Sequence, residues 1–173
     1  MKRFDRNGKN RIHFSSAMTL LGKTDGVDAS DGSSYLDIVS FIRMHGARPK
    51  QDLIELWKRI VFSMAVSNTD DHLRNHGFIL SKEGWILSPL YDVNPNPDGD
   101  ALSLNIDEYS NIIDFDTILS VSDQFGISGN EALKVLEEIK TNVSNNWKAV
   151  AKKYGISRGD IEKMSPAFDM RYK

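Results

Sequence analysis

The stretch SNTDDHLRNHGFIL, residues 67–80, is the part of the sequence that best indicates the fold. Two aspartates, two asparagines, two histidines and an arginine are crowded together, and the apolar run GFIL follows at once. A periodic apolar segment precedes them. The pattern therefore predicts a polar loop between a helix and a strand, whose side chains are held in place by the elements at both ends.

The segment before this loop predicts a helix that begins after Pro49, a favourable first-turn residue, and ends near Ser67. Its apolar residues recur at intervals of three and four: Leu53, Leu56, Trp57, Ile60, Val61 and Met64. After the loop, GFIL (residues 77–80) and WILS (residues 85–88) are separated by the turn-forming SKEG. This arrangement predicts a β-hairpin.

The remainder predicts further helices joined by loops. Ser15–Leu21 is a short helical candidate closed by Gly22, and residues 24–34 are rich in Asp, Gly and Ser, as in a mobile loop. Further helices are expected over Tyr35–Arg43, from an Asp114 cap to Phe125, from a Ser128 cap, from a Ser157 cap, and at Ser165-Pro166. The Ser128-capped helix should bury Leu133, Leu136, Ile139, Val143 and Trp147. The predicted fold class is one mainly α-helical domain, residues 1–173, with a small β-hairpin.

Composition excludes several classes of protein. The chain has no cysteine, which rules out disulfides, cysteine-bound zinc and a thiol nucleophile. No stretch approaches the roughly 20 apolar residues of a membrane span. Charges of both signs are interspersed, with a net charge of −2, so no broad basic face indicates direct nucleic-acid binding. We expect a cytoplasmic protein with no membrane association.

Three oxygen-bearing side chains follow a recognisable spacing. Asp70 and Asn75 are five residues apart, and Asp92 follows the hairpin within Tyr91-Asp92-Val93. Carboxylate and amide oxygens are suitable ligands for Mg²⁺ bound to a nucleoside triphosphate. Protein kinases place a catalytic aspartate and a metal-binding asparagine in D-x-x-x-x-N, with D-F-G after a short hairpin. We expect all three side chains to converge at the base of the hairpin.

The ordered set of apolar helix, N-T-D-x-H-x-[KR]-N, hairpin and Y-D-V resembles the HipA family, the serine/threonine kinases of bacterial toxin–antitoxin modules. The segment RFDR (residues 3–6) is similar to the family's hinge between lobes, and LSPLYDV (residues 87–93) to its metal-binding segment. The resemblance implies the fold of a carboxy-terminal, helical kinase lobe.

The resemblance also implies a role for each residue that matches the motif. Asp70 would be the catalytic base, Asn75 and Asp92 would hold Mg²⁺, and His72 would face the phosphates. The cofactors would then be ATP and Mg²⁺, and the substrate a serine or threonine hydroxyl of a protein.

The hinge segment would bind the rest of the nucleotide. The resemblance places the backbone of Arg3 and Phe4 against adenine, and Asp5 near the ribose.

The family's amino-terminal lobe, which covers the phosphates, is expected before Met1 and is not part of this sequence. We therefore expect little or no activity from this chain alone. Expected partners are a separate amino-terminal lobe and an antitoxin-like DNA-binding protein. The alternative is a catalytically silent module that only binds such a partner.

Two further interpretations of the polar loop compete with a kinase site. Asp70 could simply shape a turn. A metal-dependent hydrolase could instead use Asp70, His72, His76 and Asp92, although H-L-R-N-H lacks the glutamate of the zinc motif H-E-x-x-H.

Overall fold

About half of the residues are helical in this computed structural model, which describes residues 3–173. The α-helices are α1 (Ala17–Leu20), α2 (Tyr35–His45), α3 (Pro49–Ala65), α4 (Phe115–Ser120), α5 (Gly129–Lys153) and α6 (Arg158–Met164). Short 3₁₀ turns lie at Ala29–Asp31, Ser122–Phe125, Ser165–Phe168 and Met170–Tyr172. The mainly helical fold class is confirmed.

The strands form two small antiparallel sheets. Strands β1 (Arg6–Asn7) and β2 (Asn10–Arg11) make a short hairpin. The second sheet has the order β3-β4-β5, from β3 (Phe14–Ser16), β4 (Gly77–Leu80) and β5 (Trp85–Leu87). The predicted hairpin of β4 and β5 is confirmed, with Phe78 opposite Leu87.

Strand β3 corrects the predicted helix Ser15–Leu21. Ser15 pairs with Phe78 of β4, and the helix begins only at Ala17, where the Ser16 side chain accepts a hydrogen bond from the Thr19 backbone N–H. The partner strand lies some sixty residues away along the chain. Because strand formation depends on such distant pairing, local sequence could not show it.

Helix α3 lies at the centre of the molecule and packs against α2, α4, α5 and β5. Its predicted apolar face is buried, with Leu56, Trp57 and Ile60 fully so. The Trp57 indole Nε1–H donates to the Ile118 carbonyl at 3.3 Å, which ties α3 to α4. The same helix leads directly into the polar loop, so the core fixes where that loop starts.

A buried carboxylate joins α3 to the hairpin. The Asp52 side chain is 2% exposed, accepts the backbone N–H of Leu87 at 3.1 Å, and pairs with Arg48 at 2.9 Å. The Asp52 carboxylate, on α3, thus supplies the hydrogen-bond acceptor for the Leu87 N–H of β5. It therefore holds the sheet against α3.

Two other helix predictions require correction. The helix expected from Asp114 to Phe125 is divided into α4 and a 3₁₀ turn, which closes at Gly126 with a left-handed φ of 73°. On α5, Leu133 is 49% exposed rather than buried, because the packed face is centred on Ala132, Leu136 and Val143.

Residues 24–34 are more structured than a mobile loop, since Asp28 caps the turn Ala29–Asp31. Over the described residues, no helix has both the length and the apolar character needed to cross a bilayer.

The Asp52 contact can be tested by mutation. Asp52→Ala leaves the buried Leu87 N–H without an acceptor, so we expect a loss of about 1–3 kcal/mol in the free energy of unfolding. Denaturant unfolding followed by Trp fluorescence measures the loss. Asp116→Ala, which removes an exposed carboxylate from α4, is the control. Equal stability of the two variants would contradict the assigned role.

Candidate active site

The polar loop (residues 66–76) connects α3 to β4 and is held by its own backbone hydrogen bonds. The His72 N–H donates to the Asp70 carbonyl at 3.1 Å, and the Asn75 N–H donates to the His72 carbonyl at 2.9 Å. Ser67, at the start of the loop, has a left-handed φ of 49°. These constraints turn the chain sharply after α3 and give the loop one defined shape.

Asp70 presents its carboxylate to solvent. The side chain is 73% exposed, and Nε2 of the His72 imidazole lies 3.8 Å from Asp70 Oδ1. No side-chain hydrogen bond in the described part of the chain occupies this carboxylate. It is free to accept a proton from a hydroxyl brought to it.

Asn75 lies directly behind Asp70. It is only 6% exposed, and its Nδ2 donates to the Asp70 carbonyl at 2.9 Å. A carbonyl only accepts hydrogen bonds, so the nitrogen of the amide must face it, and no group in residues 3–173 donates a hydrogen bond to Oδ1. The arrangement fits an oxygen ligand for a hard cation, held at a fixed distance from Asp70.

Hydrogen bonds tie the polar loop to the segment that follows the hairpin, residues 91–96. The Tyr91 hydroxyl donates to the Arg74 carbonyl at 2.6 Å, and the Asn94 N–H donates to Asn68 Oδ1 at 2.9 Å. The Asn96 N–H donates to the Ser67 carbonyl at 2.9 Å. Asp92 therefore lies on a segment fastened to the loop of Asp70 and Asn75 on both sides.

Asp92 itself has an uncommon backbone conformation. Its φ is 57°, in the left-handed region, and its exposed carboxylate accepts a hydrogen bond from Asn94 Nδ2 at 2.9 Å. Aspartate tolerates this region better than most residues. The Asp92 carboxylate is therefore exposed on a segment that its neighbours fasten to the polar loop.

His72 and Arg74 line a small cavity beside Asp70, with a volume of about 190 Å³. Arg74 forms an ion pair with Asp25, and its Nη2 lies 3.1 Å from His72 Nε2. The His72 Nδ1 atom is buried and has no hydrogen-bond partner within the described residues. Arg74 was not assigned a role from the sequence, because nothing local shows that Asp25 would meet it.

The hinge segment meets the candidate site through aromatic rings. Phe4 lies 5.6 Å from Phe14 and 6.0 Å from Tyr91 between ring centroids. Phe14 is 37% exposed, so the cluster offers an apolar surface. Sequence reasoning named Phe4 for adenine and Tyr91 only within the Y-D-V motif, and it missed Phe14, because the pairing of strand β3 brings the Phe14 and Tyr91 rings together.

Arg3 and Asp5 bind each other. Arg3 Nε donates to Asp5 Oδ1 at 2.7 Å, and this hydrogen bond lowers the pKa of Asp5 below its usual value. The Asp5 carbonyl accepts the Ile12 N–H at 2.8 Å. The Asp5 carboxylate is thus charged and already paired at the entrance to the aromatic cluster.

The proposed hydrolase site is wrong. His76 is 1% exposed and faces the interior, where its Nε2 lies 3.2 Å from Asp71 Oδ1. It does not join Asp70 and Asp92. Within residues 3–173, no three His, Asp or Glu side chains form a metal-binding group.

A sequence model of the HipA-like C-terminal domain matches residues 1–147. The chain belongs to this family. The HipA resemblance stated from the residues is thereby confirmed.

Known proteins similar to this HipA-like domain include two curated relatives, both named "Putative kinase". One, from Haemophilus influenzae, is 33% identical over 106 residues, which cover 56% of this chain and 31% of the relative. The other, Y4mE from Sinorhizobium fredii, is 30% identical over 86 residues, covering 49% and 20% respectively. The chain therefore spans less than a third of either relative.

A solved structure shares the fold. It is the Shewanella oneidensis MR-1 toxin–antitoxin complex of HipA, HipB and operator DNA, with a TM-score of 0.72 and 19% identity. The match covers 96% of this chain and 45% of that one. The HipA-like domain thus has the architecture of part of a longer protein.

The pKa of Tyr91 predicts that the free energy of unfolding of the metal-free HipA-like domain depends on pH. Burial of the hydroxyl, and then the charge of Asp92, raise the pKa of Tyr91 to about 12. An unfolded tyrosine ionises near pH 10, so Tyr91 should contribute stability below pH 10 that is lost as pH rises toward 12. Denaturant unfolding at neutral and alkaline pH measures the loss.

Tyr91→Phe isolates this contribution. The variant also loses the hydrogen bond to Arg74, so we expect it to be about 1 kcal/mol less stable at neutral pH. The difference from the unmodified chain should shrink as pH approaches 12. A difference that grows above pH 10 would contradict the assignment.

Proposed function

We propose that this chain supplies the catalytic base and the Mg²⁺ ligands of an ATP-dependent protein kinase that phosphorylates a serine or threonine hydroxyl. One observation carries the proposal: Asp70, Asn75 and the segment bearing Asp92 are fastened together by direct hydrogen bonds. Phosphoryl transfer depends on positioning and charge neutralisation more than on covalent chemistry, and such a rigid pair of loops suits it.

The exposed carboxylate of Asp70 is suited to accept or orient the proton of the attacking hydroxyl. The Asn75 Oδ1 and the Asp92 carboxylate would hold Mg²⁺, a cation that usually takes one or two protein oxygens and keeps its phosphate and water ligands. When bound, Mg²⁺ and ATP supply the γ-phosphoryl group and neutralise its charge. His72 would donate to a phosphate oxygen.

The aromatic cluster and the hinge backbone would bind the nucleoside. Phe4, Phe14 and Tyr91 offer an apolar face for adenine. The backbone of Arg3 and Phe4 would hydrogen-bond its edge. Asp5 would reach the ribose hydroxyls after exchanging its contact with Arg3.

The rest of the nucleotide clamp would come from an amino-terminal lobe outside these residues. The matched HipA structure is more than twice as long as the region covered by this chain. Its complex contains HipB and operator DNA, and a DNA-binding, antitoxin-like protein is the corresponding partner that we propose here. Residues 1–173 would not contact DNA directly.

Kinase activity can be tested with the chain joined to, or mixed with, the amino-terminal lobe proposed above. Asp70→Asn should lower Mg²⁺- and ATP-dependent phosphorylation by about 10²–10⁴-fold, because it removes the base without changing side-chain size. Incorporation of labelled phosphate into serine or threonine is the measurement. Asp98→Asn, an exposed carboxylate in the segment after Asp92, is the matched control and should keep activity.

The Mg²⁺ dependence provides the second readout. Asp92→Asn should raise the Mg²⁺ concentration needed for half-maximal rate, and asparagine keeps the left-handed turn. Equal activity of Asp70→Asn and the unmodified protein would overturn the kinase proposal. Tight binding to the added lobe with no phosphorylation by any form would identify a catalytically silent module.

A further inference from the structure

Two buried residues stand next to the candidate catalytic residues along the polar loop. Asp71 follows Asp70, and His76 follows Asn75. The side chains of Asp71 and His76 are 3% and 1% exposed, against 73% for Asp70. The kinase proposal assigns no role to this inward-facing pair.

The pair is enclosed by specific contacts. His76 Nε2 lies 3.2 Å from Asp71 Oδ1, and the Tyr35 hydroxyl donates to Asp71 Oδ2 at 2.8 Å. The Tyr35 ring meets the His76 ring edge-on, at 5.5 Å and 85°. One Asp71 oxygen therefore accepts a hydrogen bond from helix α2, and the other lies within ion-pair distance of His76 Nε2, an atom that forms no aligned hydrogen bond among the described residues.

The contact between Asp71 and His76 spans five residues, as does the hydrogen bond from Asn75 to the Asp70 carbonyl, and the two spans are displaced by one residue. The far end of the first span is also anchored, because the His76 carbonyl accepts the Ala17 N–H at 2.7 Å. A buried charge is costly unless it stays paired. The loop can therefore leave this shape only by exposing or unpairing Asp71.

Such pairs add little net stability compared with apolar residues of the same size, but they can select one arrangement. Burial raises the pKa of Asp71, but His76 together with the hydroxyl groups of Tyr35 and Ser63 outweighs burial, so the pKa lies below its usual value. Asp71 is thus ionised at neutral pH inside the core.

We propose that Asp71 and His76, buttressed by Tyr35, are positioning residues that hold Asn75 against the backbone of Asp70. The inference rests on the proposed function, since that function gives Asp70 and Asn75 their roles. The held geometry itself can be measured without nucleotide or substrate.

Amide hydrogen exchange followed by NMR tests the inference on the chain as it is. The reporters are the N–H groups of His72 and Asn75, which bond within the loop. In Asp71→Asn their exchange should become about ten- to hundredfold faster relative to α3 core amides, because the paired carboxylate is lost. The Asn75 side-chain amide resonance should shift in the same variant.

Asp52→Asn is the matched control. Asp52 is an equally buried carboxylate that bonds to Arg48 and the Leu87 N–H, away from the polar loop. Asp52→Asn should change the exchange rates of the loop amides and of the core amides by the same factor. A purely structural role for Asp71 predicts that same uniform change.

Tyr35→Phe removes only the hydroxyl group that donates to Asp71. It provides the same test if Asp71→Asn does not fold. It should speed exchange of His72 and Asn75 selectively, by a smaller factor. Unchanged loop exchange relative to the core in every folded variant would overturn the inference. Selectively faster loop exchange, in a chain that shows no phosphorylation with the added lobe, would support the positioning role and overturn the kinase proposal, so the two failures can be told apart.

Discussion

The candidate site depends on the hydrogen bonds that fasten residues 91–96 to the polar loop, residues 66–76. Tyr91 reaches the Arg74 carbonyl, Asn94 the Asn68 side chain, and Asn96 the Ser67 carbonyl. Each bond joins backbone on at least one side, so the two loops share one geometry. Without them, Asp92 would have no fixed relation to Asp70 and Asn75.

The scaffold behind these bonds is the core around α3. Helix α3 ends just before Ser67, and strand β4 begins just after His76. Both ends of the polar loop are therefore anchored in buried structure. Within the loop, Asp70 and Asn75 have different environments, which suit their different candidate roles. Asp70 is exposed, as a base must be to meet a substrate, whereas the amide of Asn75 is held from behind. The same loop can therefore present one exposed carboxylate and one candidate metal ligand that is held in place.

Local sequence signals predicted the elements that local forces determine. The periodicity of α3, the caps at Ser128 and Ser157 and the hairpin turn were sufficient for those elements. The D-x-x-x-x-N spacing similarly placed Asp70 and Asn75 in one loop. What the sequence did not show depends on distant pairing.

Strand β3 joins β4 across the chain, and this pairing brings Phe14 to Tyr91. Tyr35 meets Asp71 from helix α2, and Asp25 meets Arg74 from the loop after α1. None of these contacts has a periodic or motif-based signal in a single sequence. His76 illustrates the same limit: its spacing from His72 suggested a metal helix, but the fold turns it toward Asp71 in the core.

If the two loops together form one metal site, titration of Mn²⁺ and ADP into the isotopically labelled chain should broaden the NMR signals of the residues around it. We expect the strongest paramagnetic broadening at Asn75 and Asp92, with Asp70 next and residues 25–31 little affected. Broadening centred on residues 25–31, or none that singles out Asn75 and Asp92, would contradict it.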